Sequence, residues 1–245
     1  MSLSRKSMLG EFLEISLSTG DILASVQFYE RLGFRHAQAG ETWRHPYAVL
    51  SDGRLYLGLH QYAFPAPALT FVLPGLRSKL APLAVLGIEF EFCKLTEDDF
   101  NEAGFYAPER QMITLLEART YSPLRPAAGG ESLCGYFREY RLPVHDRESS
   151  WRFWERLGFV TTDANPGTPA GSRWLSTGGL NIGLPANPRE RQVQLVFERE
   201  HTRGLGDLLE QRNITFKPDH DDDGAATLSI TAPEGTRLLI RGVDF

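Results

Sequence analysis

Cysteine is scarce: Cys93 and Cys134 are the only two in 245 residues. Two are too few for a disulfide framework, and a reducing, cytoplasmic setting is expected. No apolar run approaches the roughly 18 residues of a membrane helix. Mean hydropathy is −0.27, so no membrane partner is expected. Arg5 and Lys6 lie near the start, but no apolar stretch follows them, so no signal peptide is read. Cations are not in surplus. Lys+Arg number 26 against 31 Asp+Glu, a net charge of −5, which does not suit a general nucleic-acid binder. Walker A, Rossmann and nucleophile-elbow motifs are missing, as is zinc Cys/His spacing. What is present is average: 42% hydrophobic and 23% charged residues, which argues for a folded globular chain.

The average composition hides a repeat. Phe28-Tyr29-Glu30-Arg31-Leu32-Gly33-Phe34 recurs as Phe153-Trp154-Glu155-Arg156-Leu157-Gly158-Phe159, a shift of 125 residues. The same shift pairs Glu14 with Glu139, Asp21 with Asp146, and Ala107-Pro108-Glu109 with Ala232-Pro233-Glu234. Between residues 12 and 34, 11 of 23 positions equal their partners. The register holds along the chain with one compensated slip, so a whole domain is duplicated. Residues 122–132 are rich in Pro, Gly and Ala, a linker composition. The expected division is domain 1 at 1–122, a linker at 123–132 and domain 2 at 133–245.

Each domain reads as two β-α-β-β-β units, at about 11–61 and 68–119, and then 136–186 and 192–243. Residues 12–18 alternate as a half-buried strand. Asp21 can cap a helix whose Ile22, Val26, Tyr29 and Leu32 share a face, and Gly33 can end it. Asp52-Gly53 marks a hairpin. Each helix can cover one face of its sheet. The other face must meet a partner unit or a ligand.

The run from Glu14 through Asp21, Ser25 and Phe28-Tyr29 to Leu32-Gly33-Phe34 resembles the opening unit of the vicinal oxygen chelate superfamily. That group includes glyoxalase I, bleomycin-resistance proteins, extradiol dioxygenases and methylmalonyl-CoA epimerase. Ala107-Pro108-Glu109 and Ala232-Pro233-Glu234-Gly235 stand where the family often has Asp-Pro-Asp-Gly. The resemblance implies an α+β fold: tandem glyoxalase/bleomycin-resistance-like domains whose four units form half-open, curved mixed sheets around cavities. In the family's metalloenzymes the cavity holds one divalent metal.

Carried over by position, the family's first-strand ligand falls on Glu14 and Glu139. The glutamate ending the first unit falls on Gly58 and Gly183. The ligand opening the second unit falls near Ala68 or Leu69, and near Gln192 or Val193. The final-strand glutamate falls on Thr114 and Leu239. Each domain keeps about one ligand of four, and one carboxylate does not hold a metal against water. His60 lies two residues beyond Gly58 on the same strand face, so a metal, if present, would use Glu14 and His60. Glu117 should face away from Thr114. Asp219, Asp221, Asp223 and Gly224 resemble half of a calcium loop, but Ile230 stands at the twelfth position, where a glutamate is required. Cys93 reads as a small packing residue.

Strand parity gathers Glu14, Ser16, Tyr56, His60, Met112 and Thr114 in domain 1, and Glu139, Arg141, Asn181, Gln192, Arg237 and Arg241 in domain 2. Trp43 and Trp174 lie near strand ends, and Tyr47, Phe90, Phe105 and Tyr106 are near enough to add apolar wall. These residues point to small-molecule binding without a metal or other cofactor. The alternatives are a metal-dependent lyase, isomerase or ring-cleaving dioxygenase using Glu14 and His60, and an interaction module with vestigial cavities. A homodimer is compatible with the sequence.

Overall fold

The computed structural model describes residues 7–37, 45–96, 101–117, 132–163, 173–185, 191–220 and 224–242. Trp43, Asp221, Asp223 and nearly all of the expected linker lie outside them.

The first half opens with β1 (Glu11–Ser18), α1 (Ile22–Arg31), β2 (Arg35–His36), β3 (Tyr47–Ser51) and β4 (Tyr56–His60). It continues with β5 (Ala68–Val72), α2 (Leu76–Val85), β6 (Phe90–Lys94), β7 (Glu102–Tyr106) and β8 (Met112–Leu116). The second half repeats the order. Its first unit is β9 (Tyr136–Arg141), α3 (Arg147–Arg156), β10 (Val160–Asp163), β11 (Arg173–Thr177) and β12 (Leu180–Gly183). Its second is β13 (Gln194–Arg199), α4 (Leu205–Gln211), β14 (Phe216–His220), β15 (Ala226–Thr231) and β16 (Arg237–Gly242).

Two open, mixed, eight-stranded sheets result. Their strand orders are β2-β3-β4-β1-β5-β8-β7-β6 and β10-β11-β12-β9-β13-β16-β15-β14. Subtracting eight from each label of the second gives the first, so the α+β architecture of four β-α-β-β-β units is present twice. β1 runs parallel to β4 and antiparallel to β5, and β5 runs parallel to β8.

Local chemistry explains the elements. The Asp21 carboxylate accepts from Ala24 N at 3.0 Å, and Asp146 from Ser149 N at 3.0 Å, so both copies start their first helix with the same cap. Gly33 and Gly158 end those helices at φ of 94° and 92°, a left-handed turn that a side chain would strain. On one sheet face Ile15, Leu17, Leu57, Leu59, Leu69, Phe71, Ile113 and Leu115 are buried together with Phe28, Tyr29 and Leu32 of α1. Alternation sends Glu14, Ser16, Gly58, His60, Thr70 and Thr114 to the other face. Phe105 pairs with Ile113 in register and packs edge-on to Phe90, so both belong to the helix-side core and not to the wall of an inner-face cavity. Ile230 is buried in β15, consistent with a strand where a calcium loop would end. Glu117 accepts from Leu76 N at 3.1 Å and serves the start of α2.

The halves pack through equivalent aromatic contacts. Phe34 meets Phe197 at 6.2 Å, and Phe159 meets Phe71 at 6.4 Å, both edge-on. Backbone bonds tie Met8 N to Leu157 O at 2.9 Å and Leu133 N to Leu32 O at 2.7 Å. Tyr140 donates to Gln111 Oε1 at 2.5 Å. Tyr29 donates to Glu234 Oε1 at 2.7 Å, and Ser25 Oγ donates to Oε2 at 2.9 Å. Burial, then the Glu234 charge, raise the Tyr29 hydroxyl well above its ordinary pKa. Among the described residues no helix is long and apolar enough to cross a membrane.

Cys93 is exposed on β6 and does not pack as expected, because it sits toward the end of an edge strand. Cys134 is buried, and burial pushes its thiol up to about 12. Thiol titration of the native protein should therefore modify one cysteine rapidly and the second only on unfolding. Two fast thiols would contradict this packing.

Candidate functional site

In the first sheet Glu14 is the centre of a buried polar cluster on the face away from α1. Ser16, two residues along β1, donates to Glu14 Oε1 at 2.9 Å and shares a 2.7 Å bond with Thr70 on β5. Tyr47 on β3 donates to Glu14 Oε2 at 2.6 Å. His60 Nε2 lies 3.4 Å from Oε1. His60 Nδ1 is 2.9 Å from His45 Nε2. Both ring nitrogens of His60 are therefore used, one toward Glu14 and the other toward His45. Burial, then the neighbouring His60, lower the His45 pKa.

Aromatic rings cover this cluster. Tyr47 lies 4.5 Å from His60 between ring centres, and Phe64 meets His60 edge-on at 5.5 Å. His45 stacks on Tyr62 at 5.2 Å, and Tyr62 is 59% exposed, so the stack leads from the buried carboxylate outward.

The second sheet keeps the carboxylate and changes its donors. Arg141 Nε donates to Glu139 Oε1 at 2.8 Å, and Nη2 lies 2.8 Å from the same oxygen. Trp174 Nε1 donates to Glu139 Oε2, and the Arg138 guanidinium stands 4.1 Å above the Trp174 ring. Asn181 accepts from Ser176 Oγ and donates to Arg138 O at 3.0 Å.

The structure thus brings Glu14 and His60 together, and Glu139, Arg141 and Trp174 together. Asn181 is adjacent through Arg138. Thr114 lies on the same face, paired with Thr70, and Tyr56 lies beside Gly58's strand position opposite Ser51. Trp43 is outside the described residues. Sequence reasoning missed His45 and Thr70. Strand parity places Ser16, two along from Glu14, on this face, and it lies there. His45 comes from a loop, where periodicity carries no signal.

No family model matches the sequence, and no curated protein sequence does. Solved structures do match along the length of the chain. A catechol 2,3-dioxygenase is 20% identical with a TM-score of 0.60, covering 97% of this chain and 90% of its own. The 2,3-dioxygenase LapB from Pseudomonas sp. KL28 is 14% identical with a TM-score of 0.63, covering 98% and 94%. A variant of homoprotocatechuate 2,3-dioxygenase from Brevibacterium fuscum is 18% identical with a TM-score of 0.62, covering 100% and 74%. The chain shares the fold of these 2,3-dioxygenase structures. These identities establish the fold alone.

The resemblance read from the sequence implies a divalent ion on this inner face in the family's metalloenzymes, and the described residues do not assemble a ligand set for one. Among the described residues no group of three or more His, Cys, Asp or Glu is arranged to hold a metal. The reason is steric as well as compositional. A Cβ at Gly58 would stand 2.0 Å from Glu14 Oε1, and one at Gly183 would stand 2.5 Å from Glu139 Oε2. In both copies the first-strand carboxylate occupies the space that a ligand side chain would need.

Gly58→Ala should therefore destabilise the protein by about 1–3 kcal/mol, the usual range for overpacking. In a Glu14→Ala background the same change should cost clearly less, because the clashing carboxylate is gone. Urea unfolding of the four proteins of that cycle measures the coupling. Equal costs in both backgrounds would contradict the contact.

Proposed function

We propose that this protein binds a small, partly aromatic molecule on its inner sheet faces without a catalytic metal, in the manner of the bleomycin-resistance branch of its fold. One observation carries the reading. Both inner-face carboxylates are engaged by protein donors, and in the first sheet Glu14 lies under rings that reach the surface at Tyr62. Rings over a polar floor recognise an aromatic ligand that has a hydroxyl or similar polar edge. A ligand donor would compete with Tyr47 or Ser16 for Glu14, and the rings would hold its apolar part.

The competing reading is a metal-dependent enzyme of the lyase, isomerase or ring-cleaving dioxygenase kind. It is favoured by the proximity of Glu14 and His60. It lacks a third ligand among the described residues.

Thermal unfolding with catechol and a series of simple phenols, in buffer containing a chelator, separates the two. A specific ligand at about 100 times its Kd should add roughly 2.7 kcal/mol of stability. Tyr47→Phe and His60→Ala should reduce that gain. A gain that appears only when a divalent metal is supplied would favour the enzyme. No gain from any probe would leave an interaction module.

A further inference from the structure

The turn Ala107-Pro108-Glu109-Arg110-Gln111 and its copy Ala232-Pro233-Glu234-Gly235-Thr236 have the same backbone bonds. Arg110 N donates to Ala107 O and Ala107 N to Gln111 O, both at 2.9 Å. Gly235 N donates to Ala232 O and Ala232 N to Thr236 O, also at 2.9 Å. Both turns put their fourth residue in the left-handed region, with φ of 60° at Arg110 and 92° at Gly235. Glycine adopts that conformation freely, and a residue with a side chain is disfavoured there. Among the described residues only Arg110 and Asn213 combine a side chain with positive φ. Asn213 follows α4, at an end position that asparagine commonly fills. Arg110 has no such local reason, since the copy completes the same turn with glycine.

What the arginine adds over glycine is a guanidinium on the wall of a cavity. A cavity of about 660 Å³ lies between the halves, and both turns line it. Arg191 lines it from the second half. Both arginines are exposed, and neither forms an ion pair among the described residues. The shift of 125 residues maps Arg110 onto Gly235 and Ala66 onto Arg191, and all four border the cavity. Each half therefore supplies one cation and leaves the equivalent place small. A Cβ at Gly235 would meet nothing within 4 Å.

The carboxylates of the same wall are committed within the protein. Glu109 buries both oxygens and is met by its own backbone N–H. Glu234 accepts from Tyr29 and Ser25, and Asp146 accepts from Ser149 N. Pro65, Pro67, Pro108 and Pro143 add apolar surface.

We propose that this interdomain cavity is a second ligand site that takes a small organic carboxylate, its acid group on Arg110 and Arg191 and its apolar body against the prolines. Guanidinium forks match a carboxylate, and a concave, partly apolar wall with a few charged groups is the usual form of such a site. The unfavourable backbone of Arg110 is then strain kept at a ligand site. The site does not depend on the inner-face reading, because it shares none of those residues.

Thermal unfolding and calorimetric titration at neutral pH test the proposal, with benzoate as the probe. Benzamide is its uncharged counterpart, and chloride matches the ionic strength. Benzoate should raise the unfolding midpoint of the wild type, and benzamide and chloride should not. Arg191→Gln should weaken benzoate binding about tenfold. Arg110→Gly should abolish the benzoate shift, yet without any probe it should unfold no lower than the wild type, because the turn then holds the residue its backbone favours. The proposal is overturned if benzoate gives no shift, if benzamide matches it, or if Arg110→Gly keeps it. A midpoint several degrees lower for Arg110→Gly would mean that the side chain serves the fold, and would also overturn it.

Discussion

A carboxylate buried on the inner face of a sheet must be given donors or a cation, because the water that would solvate it is shut out. Glu14 and Glu139 impose that demand at equivalent places in the two sheets. Glu14 takes Tyr47 and Ser16, with His60 nearby, and Glu139 takes Trp174 and Arg141. Removing one partner from a buried pair typically costs about 3–5 kcal/mol, so the identity of each donor is constrained once the glutamate is kept. Gly58 and Gly183 are the other half of the arrangement. They leave room for the carboxylate to lie across the neighbouring strand.

The duplication exposes which features are tied to one another. Glutamate and glycine recur together in both halves, and the donors do not. Trp174 corresponds by the shift to Val49, and the donor in the first half is Tyr47, two residues earlier on the equivalent strand. Arg141 replaces Ser16, and Pro185 stands where His60 does. The same divergence appears at the junction of the halves. The apolar contacts of Phe34 with Phe197 and of Phe159 with Phe71 are equivalent, whereas Tyr29 becomes Trp154, and Glu234 takes side-chain donors from the other half through Tyr29 and Ser25. Nondirectional burial survives the exchange of side chains more easily than hydrogen bonding, which depends on atom positions.

Much of the fold was legible in the sequence because it rests on local or periodic signals. The repeat at 125 residues, the caps at Asp21 and Asp146, and the alternation along β1 are all of that kind. The glycines at ligand positions were legible too. Their consequence was not, because the collapse of Glu14 onto Gly58 is a contact between two strands and depends on register. Phe90 and Phe105 were assigned to a cavity wall by proximity in the chain, and register places them beneath the helices. His45 and the cavity between the halves come from loops and from packing between domains. Neither has a period from which to be read.

The central claim is that the inner faces satisfy their carboxylates with the chain's own donors, and the proposed metal-free reading rests on it. The most direct test is elemental analysis of the protein after incubation with Fe(II), Mn(II) or Zn(II) and removal of unbound ion. The account predicts metal far below one ion per chain, unchanged in Glu14→Ala and His60→Ala. One tightly held ion per chain, lost in those two variants, would contradict it.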